Sequence, residues 1–182
     1  MQYVCSHCLR DVYDRFRMSI RCQTAPRWPQ LPLILDAAPR LVRRLDLLWL
    51  QRRLMEPEQL AAQVQAILNP TVGVTGLTVR YVETLPTTRC HGAAGCYAVE
   101  QGMPTIFITQ YALEDQFETV KKKTDATTRH LTILLLHELG HCLQRINGDT
   151  TDIYGEVDGS TEAREMVANC FVHAVLLNAL PS

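Results

Sequence analysis

Residues His137-Glu138-Leu139-Gly140-His141 combine two imidazoles and a carboxylate at a spacing that can do chemistry. On a helix, residues four apart lie one above the other, so both histidines reach a single tetrahedral metal. The glutamate between them is displaced around the helix and faces a water on that metal rather than the metal itself. This is the pattern of zinc-dependent hydrolysis, in which the metal lowers the pKa of its water and the glutamate serves as general base. Leu131, Ile133, Leu134, Leu135 and Leu136 precede it and predict a buried helix. Three ionisable groups following such a run are costly without a partner such as a metal ion.

A catalytic zinc needs a third protein ligand and an open position. One class of zinc peptidase takes its third ligand just after the second histidine, with a glycine before another histidine. Here Gln144 and Asn147 stand at those places, which excludes that class. The remaining source is a glutamate on a following helix, and Glu162 and Glu165 both qualify by position. Glu165 is preferred because Asn169 lies one turn beyond it and can orient a ligand histidine. Tyr154 and His173 are the candidates for stabilising an oxyanion. His130, one heptad before His137, is read as solvated.

Together, His137-Glu138-Leu139-Gly140-His141 and Glu165-x-x-Ala168-Asn169-x-Phe171 resemble the ImmA/IrrE family of zinc metallopeptidases. The resemblance spans residues 60–177, is specific at these two motifs and is loose elsewhere. It implies a zincin-like α+β fold, with a small sheet packed on the active-site helix and a ligand helix following. It also implies a zinc-dependent endopeptidase cleaving a specific protein partner such as a transcriptional regulator. Two alternatives stand beside it: a metallopeptidase toxin or effector acting on a foreign protein, and a non-catalytic, zinc-stabilised binding module.

The elements that must position these residues follow from periodicity and punctuation. Residues 1–35 read as a Cys/Pro-rich extension, and residues 36–182 as the metallopeptidase domain. Helices are expected over 36–55, 56–69, 111–120, 125–146 and 161–180, with Pro39 in a first turn and Asn69-Pro70 as a stop. Strands are expected over 77–82, near Tyr97 and over 105–109. Met103–Thr109 is the candidate sheet edge for an extended substrate.

With 182 residues, 47% of them hydrophobic and 20% charged, the chain can bury a proper core. The net charge of −1 argues against general nucleic-acid binding, and a protein or peptide partner is what the resemblance implies. Arg40, Arg43, Arg44, Arg52 and Arg53 are read as a solvated helix face, with a partner surface as the alternative. No apolar run has the roughly 20 residues of a membrane helix. Met1 to Cys5 lack the charged start and apolar stretch of a secretory signal, so a cytoplasmic protein is expected.

Seven cysteines are then metal ligands, reactive thiols or core filler. Cys5, Cys8 and Cys22 have knuckle spacing and are candidates for a second, structural zinc, completed by Cys90, His91 or Cys96. Cys142 and Cys170 are read as core filler.

Overall fold

The computed structural model describes residues 25–73, 76–83, 95–100, 103–109, 124–148 and 161–180, without the side chains of 95–100, 124–130 and 161–163. It is an α+β arrangement, mostly helical, with one small sheet. The helices are α1 (Leu31–Leu50), α2 (Pro57–Val72), α3 (Thr124–Ile146) and α4 (Thr161–Ala179), with a 3-10 turn at Arg52–Leu54. The strands are β1 (Thr78–Val82), β2 (Gly95–Glu100) and β3 (Met103–Thr109). Among the described residues, no helix is long and apolar enough to cross a membrane.

Helix α1 starts at Leu31, earlier than the expected Asp36, because Pro32 sits in the opening turn, where a missing N–H costs nothing. Pro39 is therefore inside the helix rather than in its first turn. Its ring is exposed, and the buried stripe Ile34, Ala38, Leu41, Leu45, Leu48 and Trp49 runs past it. The core reaches back to Trp28, whose ring lies 5.5 Å from that of Phe171 on α4. Arg40, Arg43 and Arg44 are exposed on the opposite face. Helix α2 opens with Pro57 after the extended Glu56. It continues through Pro70 to Val72 instead of stopping at Asn69. Thr71 donates its hydroxyl to the Ile67 carbonyl at 3.1 Å, and Gly73, at φ 63°, makes the actual stop.

The strand order is β1-β3-β2, with β1 parallel and β2 antiparallel to β3. Met103–Thr109, expected as the open edge, is thus the central strand and cannot accept another. Its buried run from Thr105 to Thr109 fits that position. The outer side of β1 is covered by α2, since the Val79 N–H donates to Gln65 Oε1 at 2.9 Å. That leaves β2 as the sheet edge for which the described residues show no further strand.

The sheet supports α3, and α3 packs along α4, while α1 braces both. A hydrogen bond of 2.6 Å from the Thr132 hydroxyl to Asp46 Oδ1 pins α3 to α1 inside the core. Helix α3 ends as expected at Asn147-Gly148. Gly148 takes φ 60°, and the Asn147 N–H returns to the Leu143 carbonyl at 2.9 Å. The expected helix over 111–120 lies outside the described residues.

Candidate metal centre

Helix α3 carries His137 and His141 on the side that meets α4, with Glu138 displaced from them around the helix. Every residue from Leu131 to Gly140 is buried, as the apolar run predicted. His137 is 2% exposed and Glu138 is 3% exposed, whereas His141 opens partly to solvent. The rings of His137 and His141 meet edge to face with centroids 4.6 Å apart.

Glu165 arrives from α4 and closes the set. Its Oε2 lies 2.9 Å from His137 Nε2, and its Oε1 lies 3.0 Å from His141 Nε2. The two Nε2 atoms are themselves 3.0 Å apart. Asn169, one turn further along α4, places Oδ1 3.0 Å from His137 Nδ1. An amide oxygen only accepts, so His137 Nδ1 carries a proton and Nε2 is the nitrogen left to face Glu165 or a metal. Two imidazole nitrogens and a carboxylate then converge at about one point, where a cation could be held between them.

The donor set fits a metal ion. His137, His141 and Glu165 are a group whose ligand atoms all lie within 4.8 Å of one another. Ligands about 2.0–2.1 Å from a tetrahedral metal are separated by roughly 3.3 Å, close to what these three side chains already span. Three protein ligands leave one tetrahedral position open.

What brings Glu165 so close is the contact between the two helices. A Cβ built on Gly140 would lie 3.2 Å from Ala168 Cα and 3.2 Å from Phe171 Cδ1. A methyl group there would push α4 back by a few tenths of an ångström, and the small Ala168 faces the glycine. Neither residue stands out by its own chemistry in the sequence. The signal available was a glycine inside the histidine pair and an alanine one helical turn after Glu165 in α4.

The electrostatics follow from this crowding. Burial pulls the Glu165 carboxyl upward, but hydrogen bonds and charge from His137 and His141 outweigh it and hold the group well below the usual carboxylate range. Burial likewise opposes charging His141. Acceptance of a hydrogen bond by Glu165, the charges of Glu138 and Glu165, and the side chain of Gln144 nevertheless raise it above its ordinary value. Cys142, next to His141, is fully buried, and burial pushes its thiol up to about 12. It is core filler, as expected.

Of the other residues singled out in the sequence, His173 lies on α4, half-buried and outside the three-ligand group. The side chains of Glu162 and His130 lie outside the described residues, as do Tyr154, Cys5, Cys8, Cys22, Cys90, His91 and the side chain of Cys96. Cys170 corrects an expectation. It is buried on α4 but disulfide-bonded, so it is not a free core thiol. Cys142 is the free cysteine among the described residues.

No protein-family model matches the chain, and comparison with curated proteins and with solved structures finds no match.

Proposed function

We propose that the chain is a zinc-dependent endopeptidase of the ImmA/IrrE type, with a zincin-like domain that cleaves a specific protein partner such as a transcriptional regulator. The observation that carries this reading is the convergence of His137 Nε2, His141 Nε2 and the Glu165 carboxylate, each about 3 Å from the others. The two histidines flank a buried glutamate on one helix, the context that the motif demands. Zinc held by His137, His141 and Glu165 would supply Lewis acidity toward a carbonyl and acidify a water.

The chain's own residues do the rest. Glu138 is buried beside His141 and close enough for its charge to act on that ring, yet it is not one of the three ligands. Its carboxylate takes the proton of an attacking water and hands it to the leaving amine. Asn169 holds the His137 ring so that its lone pair stays on the metal side. An extended substrate pairs along β2, the sheet edge with no further strand among the described residues.

The cytoplasm is the proposed setting, but the disulfide at Cys170 favours a second one. Disulfides persist in oxidising compartments, which suits an exported effector acting on a foreign protein.

The experiment is proteome-wide mapping of new N-termini in cells expressing wild type or Glu138→Gln. The proposal expects a small set of new termini with wild type alone. Identical termini in the two cultures, with both proteins zinc-loaded, would make the chain a binding module.

A further inference from the structure

Arg40, Arg43, Arg44, Leu47 and Leu50 are exposed together on α1. At 3.6 residues per turn they fall within about 120° of one another, opposite the stripe Ile34, Ala38, Leu41, Leu45 and Leu48 that enters the core. Leu54, 88% exposed, stands just beyond them on the 3-10 turn. Arg52 Nη1 donates to the Trp49 carbonyl at 2.8 Å and ties that turn to the helix end.

Solvation accounts for the arginines but not for the leucines. Leu47 and Leu50 stay 49% and 47% exposed on a helix whose other side is core. A single exposed leucine is ordinary, whereas several gathered beside cations mark an interaction surface. Arg40, Arg43 and Arg44 form no ion pair among the described residues. The two acids of α1 do not neutralise them. Asp46 accepts the Thr132 hydroxyl at 2.6 Å, toward α3, and Asp36 lies a turn before Arg40.

We infer that this face is a docking site for an amphipathic helix of a partner protein, one that sets carboxylates against the three arginines and apolar side chains against Leu47, Leu50 and Leu54. Assigning that helix to the substrate rests on the proposed peptidase reading, but the docking itself does not.

Charge complementarity selects this occupant. A guanidinium is a planar fork that pairs with a carboxylate through two parallel hydrogen bonds. Arg40 to Leu50 spans about 15 Å, close to three turns of a partner helix. Side chains at i, i+3, i+4 and i+7 of such a helix would meet the face at the same pitch. Other occupants fit less well. A second copy laid on the face by a two-fold axis would set arginines against arginines or leucines. Leu47 and Leu50 are already half covered and do not stand clear to insert by the roughly 5–10 Å of a membrane-surface helix. Nucleic acid would engage the arginines and leave the leucines in water.

The probe is a synthetic, fluorescein-labelled helical peptide with glutamates at one end of a face and leucines at the other. It is titrated by anisotropy into the full chain carrying Glu138→Gln, so that no cleavage intrudes. Binding should saturate, and should weaken several-fold as salt rises from about 0.1 M to about 1 M and the Debye length shrinks from about 10 Å to about 3 Å. Arg40→Glu, Arg43→Glu and Arg44→Glu together should weaken it by at least about tenfold. A peptide with lysines in place of the glutamates should recover binding to that variant. Leu47→Ser, Leu50→Ser and Leu54→Ser together should also weaken it by at least about tenfold. All six side chains are exposed, so both variants should keep the circular dichroism of the parent. No saturable binding, or binding that both variants leave unchanged, would overturn the inference. So would phosphatidylglycerol vesicles, duplex DNA or a second copy of the chain occupying the face in place of the peptide, each interaction lost in both variants. Peptide binding at this face in a protein that neither holds zinc nor cleaves would end the peptidase reading and leave the docking site standing.

Discussion

Gly140 of α3 and Ala168 of α4 meet so closely that a methyl group on Gly140 would sit 3.2 Å from the Ala168 Cα. This contact sets the spacing between the helix with the two histidines and the helix with Glu165. The metal centre is therefore built by packing as much as by ligand choice.

Widening that contact should cost metal before it costs the fold. Gly140→Val places a branched side chain against Ala168 and Phe171, and overpacking of this kind costs about 1–3 kcal/mol. Zinc affinity measured by chelator competition should fall by at least about tenfold, because Glu165 is carried away from both Nε2 atoms. Far-ultraviolet circular dichroism should remain that of a folded protein. Unaltered affinity would mean that α4 can slide without losing Glu165.

The hydrogen bond from His137 Nδ1 to Asn169 predicts a graded series. Asn169→Ala leaves a buried ring nitrogen without its acceptor and should weaken zinc binding by roughly 10–100-fold. Asn169→Asp keeps an acceptor at the same reach and should retain most of the affinity. Equal losses in both variants would make the amide's shape, rather than its oxygen, the relevant property.

Metal-free and metal-loaded protein should respond oppositely to rising pH. In the metal-free fold, His141 is raised above 6.5, so its contribution is present below 6.5 and is lost as pH rises through the folded value. Glu165 is lowered below 4.5, so its contribution is present above 4.5 and is lost as pH falls through its depressed value. Both operate between 4.5 and 6.5. Protons compete with a metal for histidine, so metal stabilisation grows as pH rises. The gap in Tm between the two forms should widen from about pH 5.5 to about pH 8.5. A constant gap would mean that no histidine is a ligand.

Much of this architecture could be read from residue patterns, and the failures have physical causes. The apolar run into His137 gave α3, because burial and helical period coincide there. Gly148 closed it as expected. The start of α1 and the end of α2 were misjudged because proline was read as punctuation, while tertiary packing carried both helices past it. Met103–Thr109 was mistaken for an edge because strand sequences state burial, not neighbours. At the site, Glu165 and Asn169 were legible as residues one turn apart. Gly140 facing Ala168 depends on how two distant helices meet, which a single sequence does not encode in a spacing.

The most direct measurement is the zinc content and affinity of purified protein in wild type, His137→Ala, His141→Ala, Glu165→Ala and Glu162→Ala. The ligand set predicts a tight zinc site in wild type, severe loss in each of the first three variants and near wild-type binding in Glu162→Ala. Cys5→Ser with Cys8→Ser should remove a second ion only if the N-terminal knuckle binds one. Full zinc retention when His137, His141 and Glu165 are replaced together would contradict the account.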